Sequence, residues 1–269
     1  MPERAAPQLA TDDGVRLVYD ELGPRGGVPV VLCHGLAAAG KQFAADAEFF
    51  AARGYRVLVP DLRGHGRSGK PAGMRAGDFS VARMAADMVA MLDQAGVGPV
   101  HWVGNSLGGI MALEMLKAHE ARFRTLATFG TAYRLGLPRW GAGLIPFGYR
   151  LLGPGLSGAL TARGTTRNEA ARPLIAKLIR QFDPRVGGRV AANIASYDLT
   201  ANALGATLPI LLLRGGRDRQ VNAALGPTLA AMRGRPNFTL VELAEGGHCA
   251  NLDATAAWRA ALLEFWEGR

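Results

Sequence analysis

Three residues far apart in this chain have the types and settings needed for acyl transfer. They are Ser106 in "VGNSLGG", Asp218 in "RGGRDRQ" and His248 in "EGGHCANLD". A serine hydroxyl is a weak nucleophile until an imidazole takes its proton and an acid holds that imidazole in place. Ser106 has a glycine two residues before it and another two after. The flanks read as a strand, "VHWV", and a helix, "IMALEML". That context predicts a tight strand-to-helix turn with the hydroxyl at its apex. Gly104 and Gly108 would relieve the collisions such a turn creates, and Gly109 would let the new helix pack close to the sheet. The N–H of Leu107 opens the helix beside Ser106 and is the expected oxyanion donor. The same position would also suit a helix-capping serine.

Of the five histidines, His101 falls inside a strand and His119 at a helix end. His65 lies in the loop "RGHGRS", and His34 precedes Gly35 at a strand end, where an oxyanion loop is expected. His248 follows the last strand, with Gly246 and Gly247 giving it room, and is the expected general base. The strand "FRTLATFG" is followed by no carboxylate, whereas "LPILLLRGG" leads directly to Asp218, the expected orienting acid. Asp253 and Glu245 are nearer His248, but they read as the cap of the final helix and the end of a strand. The second oxyanion donor is expected from the loop after "VVLCHG", at the N–H of Leu36. Cys33 and Cys249 read as packed thiols. Two cysteines make no disulfide framework, no ligand cluster for a metal is visible, and no cofactor is expected.

Apolar runs alternate with helical patterns to carry these residues. "VRLVYDEL", "VPVVLCHG", "YRVLVPD", "FRTLATFG", "LPILLLRGG" and "NFTLVEL" read as strands. "KQFAADAEFFAARG", "FSVARMAADMVAMLDQAG", "NAALGPTLAAMRG" and "DATAAWRAALLEFWEG" read as helices. This alternation predicts an α/β fold, a mostly parallel central sheet with helices on both faces. The rhythm breaks between Thr131 and Thr207, which shows no strong strand and turns helical around "RPLIAKLIRQF". The expected organisation is a core of residues 1–130 and 206–269 with a mainly helical lid at 131–205.

With Ser106, Asp218 and His248 in that order, the sequence resembles the α/β-hydrolase-fold serine hydrolases. The resemblance rests on "HGL", "DLRGHGRS", "GNSLGG", "GGRD" and "GGHCANLD" and spans the core on both sides of the lid. It implies a carboxylic ester or lactone as substrate and an acyl-enzyme intermediate. "DLRGHGRS" and "HCANLD" look like the enol-lactonase and small esterase branch. "VGNSLGG" with "GRD" is also similar to carbon–carbon hydrolases acting on diketone acids, though those carry a longer glycine-rich oxyanion loop and an aromatic residue after the histidine, where this chain has Cys249. Epoxide hydrolases and haloalkane dehalogenases use an aspartate nucleophile, which Ser106 argues against. A non-catalytic ligand-binding protein of the same fold would share these motifs, and turnover is what separates it from an enzyme.

The chain has 269 residues, 49% hydrophobic and 20% charged, which suits a globular protein with a substantial core. Its start, "MPERAAPQLATDDG", has no apolar h-region, so the cytoplasm is the expected compartment. The net charge is +9, yet clusters of Lys or Arg interleaved with aromatics are absent, and nucleic acid is not an expected partner. Between Thr131 and Thr207 ten Arg or Lys stand against three Asp or Glu, so seven of the nine excess charges lie there. The same stretch holds the apolar run "LGLPRWGAGLIPFGYRLLGPGLSGAL". A basic apolar lid of this kind would suit an amphipathic substrate and peripheral contact with a membrane.

Overall fold

A computed structural model describes residues 6–138 and 144–269 of the chain. Part of the apolar run, Arg139 and Trp140 among it, lies outside the described residues. Strands β1 (Gln8–Ala10), β2 (Arg16–Leu22), β3 (Pro29–Cys33), β4 (Arg56–Asp61), β5 (Val100–Asn105) and β6 (Phe123–Phe129) come first. The second ribbon strands are β7 (Arg134–Gly136) and β8 (Ser196–Asp198), and the chain ends with β9 (Ile210–Gly215) and β10 (Phe238–Leu243). Eight of them form one sheet in the order β1-β2-β4-β3-β5-β6-β9-β10. Pairings from β4 through β10 are parallel, and β2 meets both β4 and β1 antiparallel.

The inner strands are apolar on both faces because both faces are covered. Alternate residues divide between two cores. Val31, Leu58, Trp102, Leu126 and Leu212 enter one core, and Val30, Val57, Val103, Ala127 and Leu211 the other. Helices α1 (Ala44–Ala51), α2 (Val81–Ala95) and α3 (Leu107–His119) link the first half of the sheet. In α2, Ser80 caps the first turn by accepting from the Arg83 amide at 3.2 Å, and Gly96 closes the helix in the left-handed conformation. After β6 come α4 (Leu144–Thr165), α5 (Arg172–Gln181), α6 (Pro184–Ile194) and α7 (Thr200–Gly205). Then α8 (Arg219–Met232), α9 (Ala250–Asp253) and α10 (Thr255–Trp266) complete the chain. Trp258 of α10 is fully buried against Phe43, Phe50 and Phe129, and burying a side chain of that kind contributes roughly 1.5–3 kcal/mol.

The stretch after Thr131 differs in two respects from its sequence reading. It contains a two-stranded antiparallel ribbon, β7 with β8, joining the two ends of the inserted helices. Three-residue strands are too short for any alternation to stand out. Helix α4 is also broken at Gly153, whose φ of 69° and ψ of 166° are not helical, ahead of Pro154. Proline lacks an N–H and clashes with the preceding turn, so the helix restarts there. The ends of the stretch fold into the main core, through Ala132, Tyr133, Leu199 and Ala203. Among the described residues no helix is long and apolar enough to cross a membrane.

The loop "LRGHGRSG" after β4 is fixed by a buried ion pair. Arg63 Nε and Nη2 donate to both oxygens of Asp87, the latter at 2.7 Å, and Nη1 donates to Asp13 at 2.9 Å. Arg63 is fully buried, and the Asp87 side chain is 1% exposed. Replacing Arg63 with Met would strand Asp87 in the interior with only Arg83 nearby. The expected loss is about 3–5 kcal/mol in urea unfolding, and a loss within the surface range of about 0.5 kcal/mol would contradict this role.

Candidate active site

Ser106 sits between the end of β5 and the start of α3 with φ 50° and ψ −111°. Positive φ is strained for a residue with a side chain, and the neighbouring glycines make the turn sterically feasible. A Cβ on Gly104 would lie 2.4 Å from the Gly109 nitrogen, and one on Gly108 would lie 2.3 Å from the Cys33 carbonyl oxygen. A Cβ on Gly109 would lie 2.5 Å from Thr131 Oγ1. The turn is held by the Ser106 amide donating to the Phe129 carbonyl at 2.9 Å, across to β6. The Ser106 hydroxyl makes no capping bond to α3, so the capping alternative is not what the side chain does.

Asp218 opens α8 just after β9, and His248 lies in the loop after β10. His248 Nδ1 and Asp218 Oδ2 are 2.9 Å apart, with the aspartate buried. Asp218 Oδ1 meanwhile accepts from the Val221 amide at 3.2 Å, which fixes the carboxylate's orientation. Because Nδ1 is occupied by the acid, Nε2 is the ring nitrogen left to act. Ser106 and His248 each lie against the end of β6. Ser106 is bonded to Phe129, and a Cβ on the next residue, Gly130, would lie 3.1 Å from His248 Cε1. Ser106 Oγ has no hydrogen-bond partner among the described residues and shares a cavity of about 590 Å3 with His248. A groove of about 720 Å3 beside β2 is larger, but none of Ser106, His248 and Asp218 lines it.

Leu36 lies in a turn from Gly35 to Ala38, closed by the Ala38 amide on the Gly35 carbonyl at 3.3 Å, with Ala37 at φ 60°. The amides of Leu36 and Leu107 meet no acceptor among the described residues, and Gly35 packs directly on Ser106 Cβ. His34 anchors this turn. Its Nδ1 donates to the Gly35 carbonyl at 2.7 Å, and its Nε2 accepts from the Leu62 amide at 3.1 Å. Asp61 accepts from the Gly40 amide at 2.8 Å on one oxygen and from Arg67 Nε at 2.7 Å on the other.

Sequence reasoning missed Asn105, the residue before the serine. Its Nδ2 donates to the His248 carbonyl at 3.0 Å, and its Oδ1 accepts from Gln42 Nε2 at 3.0 Å. Gln42 also reaches Asn251, which donates to Asp46, itself paired with Arg259. The signal was present as polar residues inside otherwise apolar elements, a buried arrangement that requires partners. Asp253 is a correction: α10 is preceded by Ala254 with no side-chain cap, and the Asp253 carboxylate is spent elsewhere. Both thiols are buried. Burial, with Asp253 and Asp218 nearby, pushes Cys249 up to about 12, so it stays protonated at neutral pH.

The chain belongs to the α/β-hydrolase-fold family, whose model matches residues 28–255. It is 33% identical over 132 residues to epoxide hydrolase A of Mycobacterium tuberculosis, covering 49% of this chain and 39% of that protein. It thus spans well under half the length of that relative. It is 29% identical over 262 residues to the magnesium-chelatase 30 kDa subunit of Rhodobacter capsulatus, covering 92% and 90%. The solved enol-lactonase of Burkholderia xenovorans LB400 superposes with a TM-score of 0.84 at 22% identity, covering 97% and 100%.

Burial draws His65 down to about 3 and, with the Arg124 charge nearby, His101 down to about 4. Unfolded histidines take a proton near pH 6.5, so below that pH the unfolded chain binds more protons than the native one. Stability is therefore expected to fall as pH drops from about 6.5. His101→Phe should flatten the slope of unfolding free energy between pH 6.5 and 5; an unchanged slope would contradict the assignment.

Proposed function

We propose that the chain is a serine hydrolase that cleaves a carboxylic ester or lactone through an acyl-enzyme intermediate. The observation that carries this reading is the 2.9 Å contact between Asp218 and His248 Nδ1, which leaves Nε2 free on a residue that lines the same cavity as Ser106. In this mechanism Nε2 takes the Ser106 proton as Oγ attacks the carbonyl carbon, and Asp218 stabilises the imidazolium. The amides of Leu36 and Leu107 hold the oxyanion, each such donor contributing about 2.7–4 kcal/mol. The imidazolium returns its proton to the leaving alkoxide, and water, deprotonated by Nε2, then releases the acid. No metal or cofactor enters these steps.

The cavity favours an apolar acyl group. Leu152 and Leu160 of α4, Ile175 and Leu178 of α5 and Ile194 at the end of α6 line it opposite Ser106, so α4 to α6 act as the lid in this reading. Among the described residues no Arg or Lys lines the cavity to pair the carboxylate of a diketone acid, which disfavours the carbon–carbon hydrolase alternative. A lipid interface is the proposed partner of the outer surface. Phe147, Leu151 and Leu156 of α4 are 63%, 73% and 50% exposed, Arg150 and Arg163 lie on the same helix, and residues 144–165 contain no Asp or Glu.

Ser106→Ala is expected to reduce turnover of p-nitrophenyl esters by about 10^4-fold or more. Unchanged turnover would remove the nucleophile assignment, and release of a diketone acid's fragments in preference to ester cleavage would favour the carbon–carbon reading. The protein should sediment with vesicles containing anionic phospholipid, and Leu151→Glu should prevent it. No sedimentation would overturn the membrane contact and leave the hydrolytic proposal standing.

A further inference from the structure

The Asp253 carboxylate gathers four donors from two separate parts of the chain. Oδ1 accepts from the Arg167 amide at 2.9 Å, the Asn168 amide at 3.1 Å and the Thr166 hydroxyl. Oδ2 accepts from the Gly247 amide at 2.8 Å. The first three donors belong to the turn between α4 and α5, in the inserted helices. The fourth belongs to the residue immediately before His248.

Further bonds join the same two segments. The Cys249 amide donates to the Thr165 carbonyl at 3.1 Å, and Asn168 Nδ2 donates to the Leu252 carbonyl at 2.9 Å. Thr166 is buried although it is polar and lies in a surface connection. Gly247 is shaped to the same purpose, since a Cβ there would lie 2.5 Å from Asp253 Oδ2. On the other side of His248, Asn105 holds its carbonyl oxygen. The backbone around the imidazole is therefore fixed at two points, one rooted in the sheet and one in the inserted helices.

We propose that Asp253 is a positioning residue that couples the seating of the inserted helices to the placement of His248. It touches no reacting atom. A carboxylate is the one side-chain group of this size that accepts on both ends without donating, so one residue can pin the insert turn and the histidine loop together. Displacing the insert turn removes three of the donors and frees the loop that carries His248. The base is then set for proton transfer only when α4 and α5 are seated over the cavity. The catalytic half of this inference rests on the proposed role of His248, whereas the mechanical coupling does not.

Asp253→Asn presents an amide nitrogen to a cluster of donors and breaks the bridge at one end. Two readouts are needed. Amide hydrogen exchange should rise together at 165–168 and at 247–249, with Ser106→Ala showing no such change. With a p-nitrophenyl ester, kcat should fall on the order of ten- to a hundredfold while KM changes far less, as misplacement of a reacting group by about 1 Å produces. Gly247→Ala should reproduce both effects by pushing the carboxylate away. Thr166→Val removes a single insert-side donor and should move both readouts in the same direction by less, which keeps the test decisive if Asp253→Asn does not fold. Faster exchange confined to 165–168, with kcat and 247–249 unchanged, would overturn the coupling and leave Asp253 as a local cap. Coupled exchange in a protein without esterase turnover would uphold the mechanical link and reject only the hydrolytic reading.

Discussion

The constraint on which the site depends is the turn at Ser106. A residue with a side chain is held at φ 50°, a conformation that costs of order 1–3 kcal/mol unless its surroundings enforce it. The surroundings are mainly backbone, with the Thr131 side chain against Gly109. Gly104, Gly108 and Gly109 have neighbours where a Cβ would sit, so strand β5, helix α3 and the Cys33 carbonyl close in on the turn from all sides. The sheet register then sets everything else. Strand β3 delivers the Leu36 turn on one side of Ser106, and β6 delivers Gly130, against which the His248 ring packs, on the other. The carboxyl end of an open parallel sheet is where such loops converge.

Around that turn runs a buried polar layer in place of apolar packing. Asn105, Gln42, Asn251 and Asp46 are each no more than 2% exposed and are linked in a chain of hydrogen bonds. All but one of its buried groups are paired, Gln42 Oε1 being the exception, and such networks specify one arrangement because a slip leaves further buried groups unpaired. The layer connects the turn around Gln42, strand β5 and the short helix α9 after His248, three segments separated by long stretches of sequence. Its effect on the site is orientation: it holds the histidine loop by its backbone and leaves the imidazole free to meet Asp218.

What the sequence disclosed was mostly local. The alternation of apolar strands and amphipathic helices made the sheet legible, and Gly104 marked the turn because its steric reason, Gly108 and Gly109, lies within five residues, whereas Gly108 and Gly109 are required by Cys33 and Thr131 far off in the sequence. Asp218 was legible because it is the first carboxylate after a strand that ends at the site. Asp253 was misread as a helix cap since its partners, Thr166 to Asn168, lie some 85 residues away by sequence and no periodicity announces them. The ribbon of β7 and β8 escaped notice for the same reason, being short and joined only through tertiary pairing. Asn105 was in plain view inside a quoted motif, yet its partner is a main-chain carbonyl, which carries no sequence signature.

The hydrolytic reading requires a covalent acyl intermediate on Ser106. Rapid-quench mass spectrometry during the first turnovers of a p-nitrophenyl ester tests it most directly. A transient mass gain of one acyl group is expected, confined to the peptide containing Ser106 and formed in step with the initial release of nitrophenol. An acyl group mapped to another residue, or steady release of nitrophenol with no acylated protein at any time, would contradict it.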